Sequence, residues 1–212
     1  VRAPLKASVF VAVTAAMVGG LVLSVMRDHA SEPYVVSQTA LSGWTVVAGQ
    51  PEDPWLVAAH PPASLADSLF RQLSEKSQRP VVALPHPDLP LVLRAEYADA
   101  LQGVWATDEI VRAAQSGGIE TASFEPVCMG HKVRTDETGT SEFFFIVVRS
   151  PDFERLRDDL QPDFPEHAGI ALYNPRALPP LIPIAATDRA FDRWWPVSFD
   201  PLTDCQAQLT IQ

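Results

Sequence analysis

Basic residues are scarce in this chain: lysine and arginine together number 16 against 26 aspartates and glutamates in 212 residues, a formal net charge of −10. Arg2 and Lys6 precede a long uncharged run, so the remainder carries 14 basic and 26 acidic residues, about −12. That balance argues against a nucleic-acid partner and against docking on anionic lipid through a basic patch, since both need concentrated positive charge. Motifs of catalysis are missing as well. There is no G-x-S-x-G, H-E-x-x-H, P-loop or G-x-G-x-x-G. Ser-x-x-Lys is absent because Ala3, Leu73 and Met129 stand three residues before the lysines. The histidines His29, His60, His86, His131 and His167 are scattered, and a surface or capping role is the expectation for each. Acid pairs such as Asp158-Asp159 read as solvated charge. No catalytic residue, metal ligand or bound cofactor is therefore expected, and the chain reads as a non-enzyme.

What the sequence does contain is a span. Residues 7–26, "ASVFVAVTAAMVGGLVLSVM", are uncharged. At about 1.5 Å per residue they reach roughly 30 Å, the thickness of a bilayer's hydrocarbon core. A signal peptide is the rival reading, with "VRAPLK" as its charged start. The apolar run is too long for one, and "DHA" before Ser31 puts Asp28 where cleavage wants a small residue. Arg2, Lys6 and the amino group lie before the span, whereas Arg27 after it is followed at once by Asp28 and His29, so residues 1–6 are expected in the cytoplasm. Val1 in place of methionine reads as a literally translated GTG start, a bacterial habit, which makes the membrane a bacterial inner membrane and the far side periplasm.

Small residues recur along this span at Ser8, Ala12, Ala16, Gly20 and Ser24, each four apart, with Ala15 and Gly19 as a second pair. Lipid tails are as apolar as leucine, so membrane helices associate through close van der Waals packing, and such a ridge lets two backbones approach. Each step of four rotates about 40° around the helix, so the row winds through about 160° and suits a crossing helix or two neighbours. Other transmembrane subunits are the expected partners. With no histidine in the span, pigment or haem would belong to those neighbours.

Cysteine is nearly absent, with only Cys128 and Cys205. In an oxidising compartment an even count suggests one bridge. Closing 78 residues counted inclusively, it would contribute on the order of 4.5 kcal/mol by chain-entropy arithmetic. The alternatives are an inert thiol pair, or a metal or thiol site built on "CMGH", where His131 follows Cys128 by three. Cys205 has no neighbouring Cys or His to complete a zinc set.

Residues 27–34 read as a linker and 35–212 as one periplasmic α+β domain with a mostly antiparallel sheet, because strands and helices mix without a regular βαβ beat. "YVVSQTALSGWTVVAG" suggests a hairpin about Ser42-Gly43. "SLADSLFRQLSEK" reads as an amphipathic helix opened by Ser64, and "TDEIVRAAQSGG" as a short helix capped by Thr107. "FEPVCMGHKVRTDETGTSEFFFIVVRS" predicts two strands about a polar turn, the second apolar on both faces and central. In "SPDFERLRDDL", Ser150 caps a helix with Pro151 at its first position and Phe153, Leu156 and Leu160 inward. "GIALY" reads as a strand, "PRALPPLIPI" as a crossing, "TDRAFDRWWP" as a helical turn and "CQAQLTIQ" as a final strand.

Trp194 and Trp195 are adjacent and cannot share one face of a regular element, so one of them is a candidate for contact with a partner or a membrane surface. Together these features describe a single N-terminal transmembrane helix carrying an α+β domain, a non-catalytic accessory subunit that stabilises a larger bacterial membrane complex. An energy-transducing complex is expected, a photosynthetic reaction-centre and light-harvesting assembly ahead of a respiratory one. The alternatives are an envelope scaffold or binding protein, and an anchored thiol enzyme using Cys128.

Overall fold

The computed structural model describes residues 32–137, 139–162, 173–189 and 191–212, the side chains of 192 and 193 excepted. The span 7–26 and its ridge (Ser8, Ala12, Ala15, Ala16, Gly19, Gly20, Ser24) lie outside the described residues, as does most of "GIALY". Among the described residues no helix is long and apolar enough to cross a membrane. The unit from Pro33 to Gln212 is an α+β domain with a mostly antiparallel sheet.

Two sheets organise it. The larger has the order β1-β9-β6-β7-β8-β4 and the smaller β2-β3-β5. They are built from β1 (Tyr34–Val36), β2 (Thr45–Ala48), β3 (Trp55–His60), β4 (Val82–Ala83), β5 (Leu89–Leu93), β6 (Glu125–Asp136), β7 (Gly139–Arg149), β8 (Leu181–Ala186) and β9 (Cys205–Ile211). Among the described residues only β1 and β9 pair in parallel. Among the described residues, the three helices longer than two turns are α1 (Ala63–Lys76), α2 (Thr107–Ser116) and α3 (Pro151–Asp159).

The strand "FFFIVV" lies between β6 and β8 and is buried on both sides, which is why it alternates nothing polar. Phe144, Ile146 and Val148 point inward to a core shared with Leu65, Leu69 and Leu73 of α1, Ile110 of α2, Phe153 and Leu156 of α3 and the second sheet's Val57 and Leu91. Phe143, Phe145 and Val147 point outward, into a second core closed by Trp194, Val197 and Phe199. The Ser150 hydroxyl accepts the Phe153 N–H and Pro151 opens α3, the cap and first residue that "SPDF" implies.

Several local expectations are corrected. The strands around Ser42-Gly43 form no hairpin: β1 pairs with β9, β2 pairs with β3, and a 3-10 turn (Gln38–Leu41) separates them. Helix α1 starts at Ala63 after an extended Pro62, so Ser64 is already helical and caps nothing. Thr107 is likewise the first residue of α2; the Glu109 carboxylate accepts the Ala106 N–H at 2.8 Å instead. "LIPIAA", read as part of a crossing, is the buried strand β8. It tolerates Pro183 because the β7 pairing slips a register there, from Phe144–Ala185 to Phe145–Pro183, and a slipped position does not need every ladder N–H.

Among the described residues the first strand begins at Tyr34, the last residue of the expected linker. Its ring is buried, which raises the phenol's pKa, and the Lys76 ammonium stands 4.4 Å from the ring centroid while donating to the Pro33 carbonyl at 3.1 Å. On the side of β1 away from β9, the Gln72 side chain accepts the Val35 N–H and donates to the Val35 carbonyl, both at 2.8 Å. Residues 33–35 are thus held at the entry to the domain by Lys76 and Gln72.

Candidate functional site

Cys128 on β6 and Cys205 at the start of β9 are joined by a disulfide, with Cα atoms 5.7 Å apart. In this bonded form neither sulfur is a thiolate, so the reading in which Cys128 attacks a substrate has no nucleophile. His131 does not turn toward Cys128. Its Nε2 meets Glu142 Oε2 at 2.9 Å, its ring stacks on Phe144, and Arg79 reaches the other Glu142 oxygen at 3.1 Å. Among the described residues no group of three or more His, Cys, Asp and Glu is placed to hold a metal ion.

The bridge pins a strap of irregular chain, residues 191–204, across the outer face of the larger sheet. Trp194 lies in this strap, only 8% exposed, stacked on Phe143 with centroids 5.3 Å apart. Trp195 is half-buried and meets Trp55 of the smaller sheet edge-on at 5.6 Å, so the adjacent indoles join two different clusters. Any partner would find more of Trp195 than of Trp194. Below the indoles, Asp204 accepts the Asp200 N–H at 2.7 Å and meets Lys132 of β6 at 2.8 Å. Its burial raises the carboxyl's pKa, but the Lys132 hydrogen bond and charge, with the Asp200 N–H and Thr203, outweigh that and hold it below the usual carboxylate value.

The most deeply buried charge is structural. Arg157 of α3 is fully enclosed and spends all five guanidinium N–H groups. Glu96 takes two at 2.7 and 2.5 Å, and the carbonyls of Leu91, Pro175 and Asn174 take the others at 3.1, 3.1 and 3.2 Å. It also stands 4.9 Å from the Tyr173 ring centroid. Burial drives the Tyr173 phenol's pKa well up, against the Arg157 charge. With no donor left over, Arg157 ties α3, β5 and the 174–175 segment together and has nothing to offer a ligand.

One polar pair keeps reactive capacity. His60 ends β3, and its Nδ1 lies 2.6 Å from Asp88 Oδ1. The Asp88 side chain is 5% exposed and that of His60 46%. A carboxylate only accepts, so Nδ1 carries the proton toward Asp88, and the other ring nitrogen of the neutral imidazole is left as an acceptor on the solvent side. The sequence gives little warning of this pair: 28 positions separate the two residues, and the flanking prolines suggest a loop for both. The one available signal is "WLVAAH", an apolar run ending in a polar residue at a strand's last position. Compared with known proteins, the chain matches no protein-family model, no curated protein and no solved structure.

Proposed function

We propose that the chain is a membrane-anchored accessory subunit of a larger bacterial membrane complex, its span packed against neighbouring helices through the Ser8-to-Ser24 ridge and its domain serving as a rigid extramembrane brace. What supports this most is the fixed entry of the chain into the domain. Seven residues, Arg27 to Pro33, separate the apolar run from β1, a reach of no more than about 25 Å. At the end of that leash Tyr34 is buried, and Val35 is held by Gln72 on one side while β1 pairs with β9 on the other. A short leash ending in a locked strand suits a domain that keeps one position on its partners better than one that ranges freely. The buried ion pairs and the disulfide serve rigidity in the same way.

Purification of the tagged native protein in mild detergent, with mass spectrometry and an absorbance scan of what accompanies it, tests the reading. Stoichiometric membrane partners are expected, and pigment or haem bands would identify an energy-transducing machine. Ala16→Leu or Gly20→Leu should release those partners while insertion persists, because the added bulk separates helices without making the span less apolar. A lone monomer overturns the proposal.

A further inference from the structure

The His60–Asp88 pair has a third member in register. Thr45 of β2 is the cross-strand partner of His60, and Asp88 stands one step beyond the Ala59–Leu89 pair of β3 and β5. Directly opposed residues of antiparallel strands share a face, with Cβ atoms about 5 Å apart. Thr45, His60 and Asp88 therefore form one row across the smaller sheet, in the order hydroxyl, imidazole, carboxylate. Thr45 and His60 are exposed and Asp88 is buried. The Thr45 hydroxyl has no hydrogen-bond partner among the described residues, so it is free to turn toward the imidazole. Along this face the row continues into apolar side chains, the partly exposed Val47 and Trp195 packing on the buried Trp55 and Ala58.

We infer that this row is an acyl-transfer site, with Thr45 as nucleophile, His60 as general base and Asp88 as the positioning residue, acting on esters whose acyl part is apolar. The inference goes beyond the assembly role and does not depend on it. In the first step the Thr45 oxygen bonds to the ester carbonyl carbon as its proton passes to His60, and the carbon–oxygen bond to the leaving alcohol breaks. The alcohol departs with the proton from His60. Water, giving its proton to the same imidazole, then cleaves the threonyl ester, releases the carboxylic acid and restores the hydroxyl. Asp88 keeps the Nδ1 proton in place and balances the imidazolium between the two transfers. The partly exposed Val47 and Trp195 offer the acyl chain an apolar bed.

The test uses the full chain in detergent micelles with p-nitrophenyl butyrate. Nitrophenolate release is followed against enzyme-free background, and the acylated peptide is located by mass spectrometry. The expected result is a butyryl group on Thr45 and turnover that Thr45→Val and His60→Gln each lower about a hundredfold, the range of a general base. Thr45→Ser, which keeps the hydroxyl, should retain turnover. Asp88→Asn should lower kcat and leave KM unchanged, a split that mere loss of packing would not give. Thr45 is exposed, so its variants fold, and their circular dichroism should match the parent. An adduct on a lysine or on His60 alone, or turnover unaffected by Thr45→Val, overturns the assignment. Neither outcome bears on co-purification of membrane partners, so the two proposals fail separately.

Discussion

The inner face of the larger sheet is covered by helices and a second sheet, and the outer face by a strap of irregular chain, so the two coverings are held by different forces. Inside, Leu65, Leu69 and Leu73 on successive turns of α1 meet Ile182 and Ile184 of β8 and their neighbours, and area removed from water does the holding. Outside, residues 191–204 present fewer apolar side chains, without regular hydrogen bonding beyond single turns, and are fastened by the disulfide and the Lys132–Asp204 clasp. A regular layer is self-supporting because its backbone groups are paired before it packs. An irregular one needs staples at its ends.

Arg157 is fully buried in the inner layer and bonded through all five N–H groups, so its removal should give the largest effect. Arg157→Ala leaves Glu96 and three carbonyls without their donor, and a loss of about 3–5 kcal/mol is expected in chemical denaturation. Replacing both partners, Arg157→Met with Glu96→Leu, should cost much less, which would show that the pair specifies position more than it stabilises. Cys128→Ser with Cys205→Ser should cost about 2–4 kcal/mol. Its mark should be unequal: Trp194 emission shifts to the red and amide exchange quickens in the strap, while the inner strands keep their protection. Uniform loosening of both faces would break the contrast drawn here.

Gly130→Ala probes the outer face by packing while leaving the disulfide and the Lys132–Asp204 pair in the sequence. A Cβ at Gly130 would lie 2.2–2.7 Å from three atoms of the Phe145 ring, so the ring must move, at about 1–3 kcal/mol. The crystal or solution structure of the variant should show Phe145 displaced and the inner core unchanged. Acid should produce the smallest effect. The Asp204 carboxyl titrates lower in the folded protein than in the unfolded chain, so its contribution is complete above the ordinary carboxylate value and is lost as pH falls through the lower folded one. Asp204→Asn should flatten that acid limb of the stability profile, measured as the denaturation midpoint against pH.

Sequence legibility followed the same division. The β6–β7 hairpin was readable because Phe143 to Val148 admits no polar side and a central strand is the one place that suits it. Ser150-Pro151 marked α3 because cap and first-residue chemistry are local. The disulfide was readable by count alone. Strand β8 was hidden by its prolines, since only the slipped pairing with β7 makes room for Pro183. The division into two sheets was hidden too, because β1 finds its partner at Leu209 to Ile211, at the other end of the domain. Most of all, the Thr45–His60–Asp88 row depends on the registers of two strand pairs, and no spacing in the sequence encodes a register.

The Gln72 amide has a consequence for crowding. An outer strand offers free peptide groups to any passing strand, and crowded copies of one protein meet edge to edge more often than dilute ones. By occupying the outward N–H and carbonyl of Val35, Gln72 imitates the next strand and takes its place. The edge that two neighbouring copies would otherwise share is closed by a single side chain, so crowding of the domains need not lead to strand-by-strand polymerisation.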